Sequence, residues 1–146
     1  MNADLLKKLN QYLADTGVMY IKLHNLHWNV VGKQFFPLHE FTEKAYDGFF
    51  EQYDEVAELL KMRGEYPLAK MTDYLANATV SELETSDFST KEVLEIVDAD
   101  FKLMKELATE IRNAADEAGD FVVVGTFEDY VAEYEKNIWF IRAMLA

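Results

Sequence analysis

Four long stretches of this chain carry apolar residues at the three- and four-residue spacing of an α-helix, and only two prolines and six glycines interrupt the sequence. The first stretch, residues 5–26, has two apolar stripes. One side is expected to face a bundle core and the other to need further protein, which predicts an oligomer. The stripes consist of Leu6, Leu9, Leu13, Tyr20, Leu23 and His27, and of Leu5, Tyr12, Met19 and Leu26.

Turn residues separate the first helix from the second and from a long connection. The first helix is expected to break at residues 31–33, and Pro37 fits the first turn of a second helix that ends near Arg63. The connection that follows contains one short amphipathic helix at residues 71–78. The apolar residues at helical spacing are Leu38, Phe41, Ala45, Phe49, Val56 and Leu60 in the second helix, and Met71, Tyr74, Leu75 and Ala78 in the short one.

Capping residues mark the third helix. Ser89 and Glu92 form a capping box at its start, and Gly119 is a natural cap at its end. A fourth helix covers at least residues 126–145, while residues 121–124 fit either a strand or the first turn of this helix. The expected buried positions are Val93, Val97, Met104, Ile111 and Ala118, followed by Tyr134, Ile138, Ile141 and Leu145.

The order of these elements predicts an all-α fold. Two helices, a long crossover and two helices make a ferritin-like four-helix bundle, with a short helix in the long crossover between the second and third helices. A chain of 146 residues buries enough surface for one ordinary core. We therefore expect a single ferritin-like domain over residues 1–146.

Charge and composition exclude several classes of function. There are 27 Asp and Glu against 14 Lys and Arg, for a formal net charge of −13, and no cysteine. This charge repels phosphate backbones, so autonomous DNA binding is not expected. No apolar run is long enough for a signal peptide or a membrane span, which predicts a cytoplasmic protein without a membrane partner.

The three histidines, His24, His27 and His39, all fall in the first hairpin. His39 heads a row of acidic residues along one face of the second helix. Like charges four residues apart oppose helix formation by about 0.2–0.5 kcal/mol each. The row is therefore either a solvated face or a face that binds cations, and both readings stay open at this point. It continues through Glu43, Asp47, Glu51, Asp54 and Glu58.

Two pairs of metal-binding side chains stand out at the ends of this row. His27 and His39 should face each other across the hairpin. Asp54 and Glu58 lie one turn apart, and Asp54, the nearer of the two, is about 22 Å from His39 along the helix. If two second helices cross antiparallel about a two-fold axis near Gly48, the histidines of one chain meet the carboxylates of the other. Such a dimer would hold two identical mixed nitrogen and oxygen sites, which suit iron, although imidazole also suits zinc.

Other metal sites find no support. The diiron site inside a ferritin-like bundle needs a Glu-x-x-His motif on each of two helices, and neither this motif nor His-Glu-x-x-His occurs in the chain.

Three motifs resemble the signature of the Dps proteins, the mini-ferritins. They are His27-Trp28, Phe35-Phe36-x-Leu38-His39-Glu40 and Asp54-Glu55-x-Ala57-Glu58, and the resemblance continues to Glu135-Lys136-x-x-Trp139. It implies a hollow homo-oligomer of twelve subunits that acts as a ferroxidase. Fe(II) would be oxidised by hydrogen peroxide in preference to dioxygen, and the ferric mineral stored, which limits oxidative damage.

The resemblance also assigns the site residues. It places the ferroxidase site between subunits, with His27 and His39 from one and Asp54 and Glu58 from the other, for one or two iron ions. Glu43 corresponds to an additional outer carboxylate. Three further residues are expected to lie beside the ligands rather than bind metal: His24 and Trp28, which support packing, and Asp47.

The chain departs from the family pattern at several positions. Leu59 stands where the family commonly has Arg. Only Lys7 and Lys8 occur near the start, both in the first helix, so the lysine-rich N-terminal tail that lets some members bind DNA is not expected. Gly125 replaces an acidic residue near the three-fold iron pore, which leaves Asp116, Glu117 and Asp120 as the nearest candidates. The alternative function is a DNA-compacting nucleoid protein of the same family, which the net charge disfavours.

Overall fold

Five helices account for most of the chain in the computed structural model, which describes residues 1–146. They form two helical hairpins, α1 with α2 and α4 with α5, joined by a long crossover that contains α3. The all-α bundle of two hairpins and the short crossover helix are therefore confirmed. The helices are α1 Ala3–Asn29, α2 Phe35–Met62, α3 Met71–Asn77, α4 Thr90–Glu117 and α5 Phe121–Leu145.

Two very short strands were not expected from the sequence. β1, Val30–Val31, follows α1, and β2, Phe88–Ser89, precedes α4. They pair in parallel, Val30 with Phe88 and Val31 with Ser89. This pairing fixes the end of the crossover against the turn of the first hairpin.

Local signals set the ends of the first hairpin. The Asn2 side chain caps α1 by accepting a hydrogen bond of 2.8 Å from the Leu5 amide. Gly32 has a φ of 128°, a conformation that favours glycine, and it ends the extended segment before α2. Pro37 lies in the first turn of α2, where the missing amide proton needs no helical partner.

The second hairpin also follows its predicted caps. The Ser89 hydroxyl accepts a hydrogen bond of 3.1 Å from the Glu92 amide at the start of α4. Gly119, with a φ of 71°, allows the chain to turn after α4. Residues 121–124 are helical, because the Asp120 side chain caps α5 by accepting a hydrogen bond of 3.2 Å from the Val123 amide.

One chain covers both apolar stripes of α1, so the oligomer argument drawn from the second stripe is wrong. Leu9 and Leu13 of the first stripe and Tyr12 and Met19 of the second are all fully buried. α1 packs along α2 and also contacts α3 and α4. Tyr12 lies 4.9 Å from Phe127 of α5, measured between ring centroids. The second stripe is therefore covered by the same chain and needs no further protein.

Two further burial assignments are corrected at helix ends. Ala118 is exposed, and Ala115 of the preceding turn is buried in its place. Leu145 is 39% exposed, since it occupies the last turn of α5 beyond the core. No helix is both long and apolar enough to cross a membrane.

Polar anchors hold the crossover against α1. Asp15 is fully buried and accepts hydrogen bonds of 2.6 Å from the Thr79 amide and 3.1 Å from the Val80 amide. Lys22 of α1 forms a buried ion pair of 2.7 Å with Asp100 of α4. The Asp15 contacts fix the crossover against α1, and the Lys22 pair ties α1 to α4.

Candidate metal centre

His27, near the end of α1, and His39, near the start of α2, face each other across the first hairpin. Their ring centroids are 3.6 Å apart and their planes differ by 15°. His27 donates its Nδ1–H to the main-chain oxygen of His39 over 2.7 Å, and His39 donates its Nδ1–H to the main-chain oxygen of His27 over 2.9 Å. Because a carbonyl oxygen only accepts hydrogen bonds, the neutral form of each ring carries its proton on Nδ1 and its lone pair on Nε2.

The burial of His27 favours the form that binds metal. This side chain is only 5% exposed, and burial lowers its pKa against the opposing effect of the His39 carbonyl. A neutral imidazole is therefore the main species near pH 7, and a neutral imidazole is the form that coordinates metal ions.

Thr42, one turn after Leu38 on α2, joins the same arrangement and was missed by sequence reasoning. Its Oγ1 lies 3.1 Å from Nδ1 of His27 and donates over 2.8 Å to the main-chain oxygen of Leu38. The side chain is fully buried. Its position three residues after His39 places it on the same side of the helix, which is a weak signal without knowledge of the partner ring.

The acidic row of α2 is exposed along its length. None of its five carboxylates forms an ion pair with a Lys or Arg side chain of the chain. A row of unpaired carboxylates opposes folding unless its charge is screened, and its full exposure fits screening by water as well as screening by a cation. The exposed members are Glu43, Asp47, Glu51, Asp54 and Glu58.

One chain does not assemble a complete metal site. No group of three or more His, Cys, Asp or Glu side chains is close enough to hold an ion. The histidine pair lies at one end of α2, whereas Asp54 and Glu58 lie toward the other end of this helix. The four predicted ligands can therefore meet at one ion only if two chains combine.

An aromatic cluster surrounds the histidine pair. His24 donates Nδ1–H to the main-chain oxygen of Tyr20 over 2.6 Å and stacks on Tyr46, with ring centroids 3.8 Å apart. Tyr46 also contacts His27 edge-on at 5.2 Å, and its hydroxyl lies 3.4 Å from Glu43. Trp28 packs 5.4 Å from His24 but is 68% exposed. His24 is thus held by packing and by its hydrogen bond, and Tyr46 is a neighbour that spacing alone did not identify.

The middle of α2 borders an apolar groove on the outer face of the hairpin. A Cβ added at Gly48 would meet no atom within 4 Å, so this position is open. Phe50, two residues further, is 62% exposed. Large exposed apolar side chains on one face are typical of interaction surfaces. The groove is lined mainly by Ile21, Phe50, Tyr53, Met71 and Leu75.

The predicted pore residues lie around the turn between α4 and α5. Asp120 is bound by Arg63, whose Nη2 lies 2.6 Å from Oδ1, and this contact lowers the pKa of Asp120. Asp116 is 3.4 Å from Arg112. Glu117 and Gly125 are exposed. The pore assignment stays a prediction, and Asp120 already has a structural function.

Leu59, the departure beside the predicted ligand Glu58, is buried in the hydrophobic core with 3% exposure. Leu59 therefore contributes to core packing rather than to an ion pair beside Glu58.

Comparison with known proteins gives the same fold over the whole length. A family model described as a ferritin-like domain matches residues 6–146. The DNA protection during starvation protein of Helicobacter pylori is 34% identical, over 98% of this chain and 97% of that protein. The crystal structure of a Dps protein from Bacillus brevis has a TM-score of 0.93 at 33% identity and covers 100% of both chains.

A third match carries a chemical description. The crystal structure of the DPS protein from Vibrio cholerae O1 has a TM-score of 0.92 at 29% identity, over 98% of this chain and 89% of that one. It is described as a member of a broad superfamily of ferritin-like diiron-carboxylate proteins.

Proposed function

Because this chain belongs to the Dps proteins of the ferritin-like family, we propose that it oxidises Fe(II) at a site shared between two subunits and stores the ferric product. Family membership itself supports a protective, iron-related role and homo-oligomeric assembly. The proposal adds the reaction, the ligands and the shell of twelve subunits.

The observation that carries the proposal is the mutual hydrogen bonding of His27 and His39. It holds two Nε2 lone pairs in place before any ion binds, with His27 kept neutral by burial. Metal-binding histidines usually donate their other ring N–H to a carboxylate, a main-chain carbonyl or water, and both histidines here donate to main-chain carbonyls. The pair needs oxygen ligands, and α2 carries unpaired carboxylates at its other end, Asp54 and Glu58.

A two-fold axis near the middle of α2 would combine the two halves. Antiparallel crossing at Gly48 places His39 of one subunit beside Asp54 and Glu58 of the next. The open position at Gly48 and the exposed Phe50 support close approach of a second copy at this point. Glu43 lies on the same exposed face and would extend the oxygen ligands toward a second ion.

Fe(II) is the substrate in this scheme. Two Fe(II) ions each give one electron to one molecule of hydrogen peroxide, which takes up two protons and leaves as two molecules of water. Imidazole nitrogen binds the ferrous ion, and the carboxylates favour the ferric product because they are hard, negatively charged ligands. Removal of iron and peroxide together would suppress hydroxyl-radical formation, which protects DNA without contact with it.

A subunit-mixing experiment tests the shared site. His27→Ala with His39→Ala in one polypeptide and Asp54→Ala with Glu58→Ala in another should each abolish fast Fe(II) oxidation. In shells refolded from both, a dimer of one subunit of each type contains one intact site and one empty site. Oxidation should therefore recover in part.

The control is a mixture of the histidine variant with a polypeptide that carries all four substitutions, which can rebuild no site. Mixed dimers are verified by mass spectrometry of differently labelled subunits. Verified mixed shells that stay as inactive as this control would refute sharing.

A further inference from the structure

Beyond the four predicted ligands, we infer that Thr42 is a positioning residue that fixes the ring of His27 for metal binding. This inference rests on the proposed function, because it assumes that Nε2 of His27 binds metal. Thr42 does not reach the ion itself, since its contact is to Nδ1, the nitrogen on the other side of the ring.

The hydrogen bonds of the hydroxyl determine what it can do. Thr42 Oγ1 donates its only proton to a main-chain oxygen one turn back, either that of Leu38 at 2.8 Å or that of His39 at 3.1 Å. Toward Nδ1 of His27, 3.1 Å away, it can therefore only accept. The Nδ1–H of His27 thus lies between two acceptors, the His39 carbonyl and the Thr42 hydroxyl.

Two acceptors at one nitrogen decide both the tautomer and the orientation of the ring. If the ring were flipped, or if its proton were on Nε2, the His39 carbonyl and the Thr42 hydroxyl would have no N–H from which to accept a hydrogen bond. Because Thr42 is fully buried and His27 is 5% exposed, water does not readily replace the lost bonds. In the neutral ring, the proton consequently lies on Nδ1, and Nε2 keeps its lone pair and is directed away from Thr42.

His39 lacks this second acceptor. Its Nδ1 has one partner, the main-chain oxygen of His27, and its side chain is half-buried. The two imidazoles are therefore not equivalent: His27 is held by a side chain and a carbonyl, His39 by a carbonyl alone. Support of this kind around a metal-binding histidine typically changes metal affinity by about 10- to 100-fold when it is removed.

The test uses Co(II) as a probe with the assembled protein, so that binding is measured apart from iron oxidation. Thr42→Val keeps the shape and removes the hydroxyl. We expect Co(II) to bind about tenfold more weakly, with a changed visible absorption spectrum. Thr42→Ser retains the hydroxyl and should restore both. For Fe(II) oxidation, KM should rise more than kcat falls.

Thr16→Val is the matched control. Thr16 is also fully buried in a helix and its hydroxyl bonds to the main-chain oxygen of Leu13 over 2.6 Å, but it does not contact a histidine. It should lose a similar amount of thermal stability and bind Co(II) as the wild type does. If Thr42→Val fails to assemble, the smaller Thr42→Ala replaces it in the same comparison.

Each outcome decides the inference. Co(II) binding by Thr42→Val as tight as by Thr16→Val, or binding by Thr42→Ser as weak as by Thr42→Val, would overturn the role of the hydroxyl. Wild-type protein that binds Co(II) through His27 but does not oxidise Fe(II) would refute the proposed function, and the Co(II) affinities of the Thr42 variants would still decide the inference. Wild-type protein that does not bind Co(II) would refute both.

Discussion

Arg63 at the end of α2 and Asp120 before α5 form a two-pronged ion pair, with Nε 2.7 Å from Oδ2 and Nη2 2.6 Å from Oδ1. Their separation of 57 residues means that only the folded chain brings them together. Asp120 also caps α5 through the Val123 amide. One carboxylate therefore joins the two hairpins and begins the last helix.

Asp120→Asn should lower the free energy of unfolding by about 1–3 kcal/mol at pH 7, because it weakens a charged hydrogen-bonded pair with little exposure. Arg63 lowers the pKa of Asp120, so the stabilisation is complete above the unfolded pKa of about 3.9 and is lost as the pH falls through the folded pKa. Thermal melts at pH 7 and in acid measure the difference, which should shrink in acid.

Asp116→Asn is the control for that experiment, since Asp116 pairs with Arg112 at 3.4 Å in an exposed position. It should change stability by less than about 1 kcal/mol. An equal loss for both variants would contradict a special role for the pair between α2 and α5.

Asp54→Asn should stabilise the metal-free protein while it impairs Fe(II) oxidation. Asp54 lies one turn from both Glu51 and Glu58, and each like-charge pair on a helix costs about 0.2–0.5 kcal/mol. Denaturant unfolding at low salt measures the gain. Asp98→Asn is the matched control, because Asp98 pairs with Lys102 at 2.7 Å and should give no gain. If metal-free Asp54→Asn is less stable than the metal-free wild type, repulsion between the carboxylates of the row does not destabilise the protein.

Phe50→Glu should prevent assembly across the outer face of α2 and abolish Fe(II) oxidation without unfolding the chain. Phe50 is 62% exposed in a single chain, so the change disturbs little of its core. A charge at the expected two-fold crossing would be buried without a partner. Light scattering and circular dichroism check mass and helicity. Phe50→Leu should assemble normally, and a fully assembled, active Phe50→Glu protein would place the shared surface elsewhere.

The protein should not retard or condense DNA at neutral pH and physiological salt. Its formal net charge of −13 repels a polyanion, and only bound metal could bridge the two. A mobility-shift assay in the presence of a chelator measures this directly. A retarded band at moderate salt would support the alternative role as a DNA-compacting protein.

Short-range patterns in the sequence were sufficient for the helices. The caps at Ser89 and Gly119 and the apolar spacing of α2 depend on residues within one or two turns of each other, which the sequence displays directly. The closeness of His27 and His39 also followed from the length of one short turn. Their function as ligands remains a prediction.

Tertiary structure alone decided the contacts between distant residues. It buried both stripes of α1 within one chain, committed Asp120 to Arg63, and placed Thr42 beside the ring of His27. Periodicity gives the face on which a side chain lies, whereas the neighbour of that face depends on how the helices pack. The atoms of each histidine that remain free for metal were fixed by this packing, because carbonyl oxygens from the opposite helix hold the Nδ1 protons.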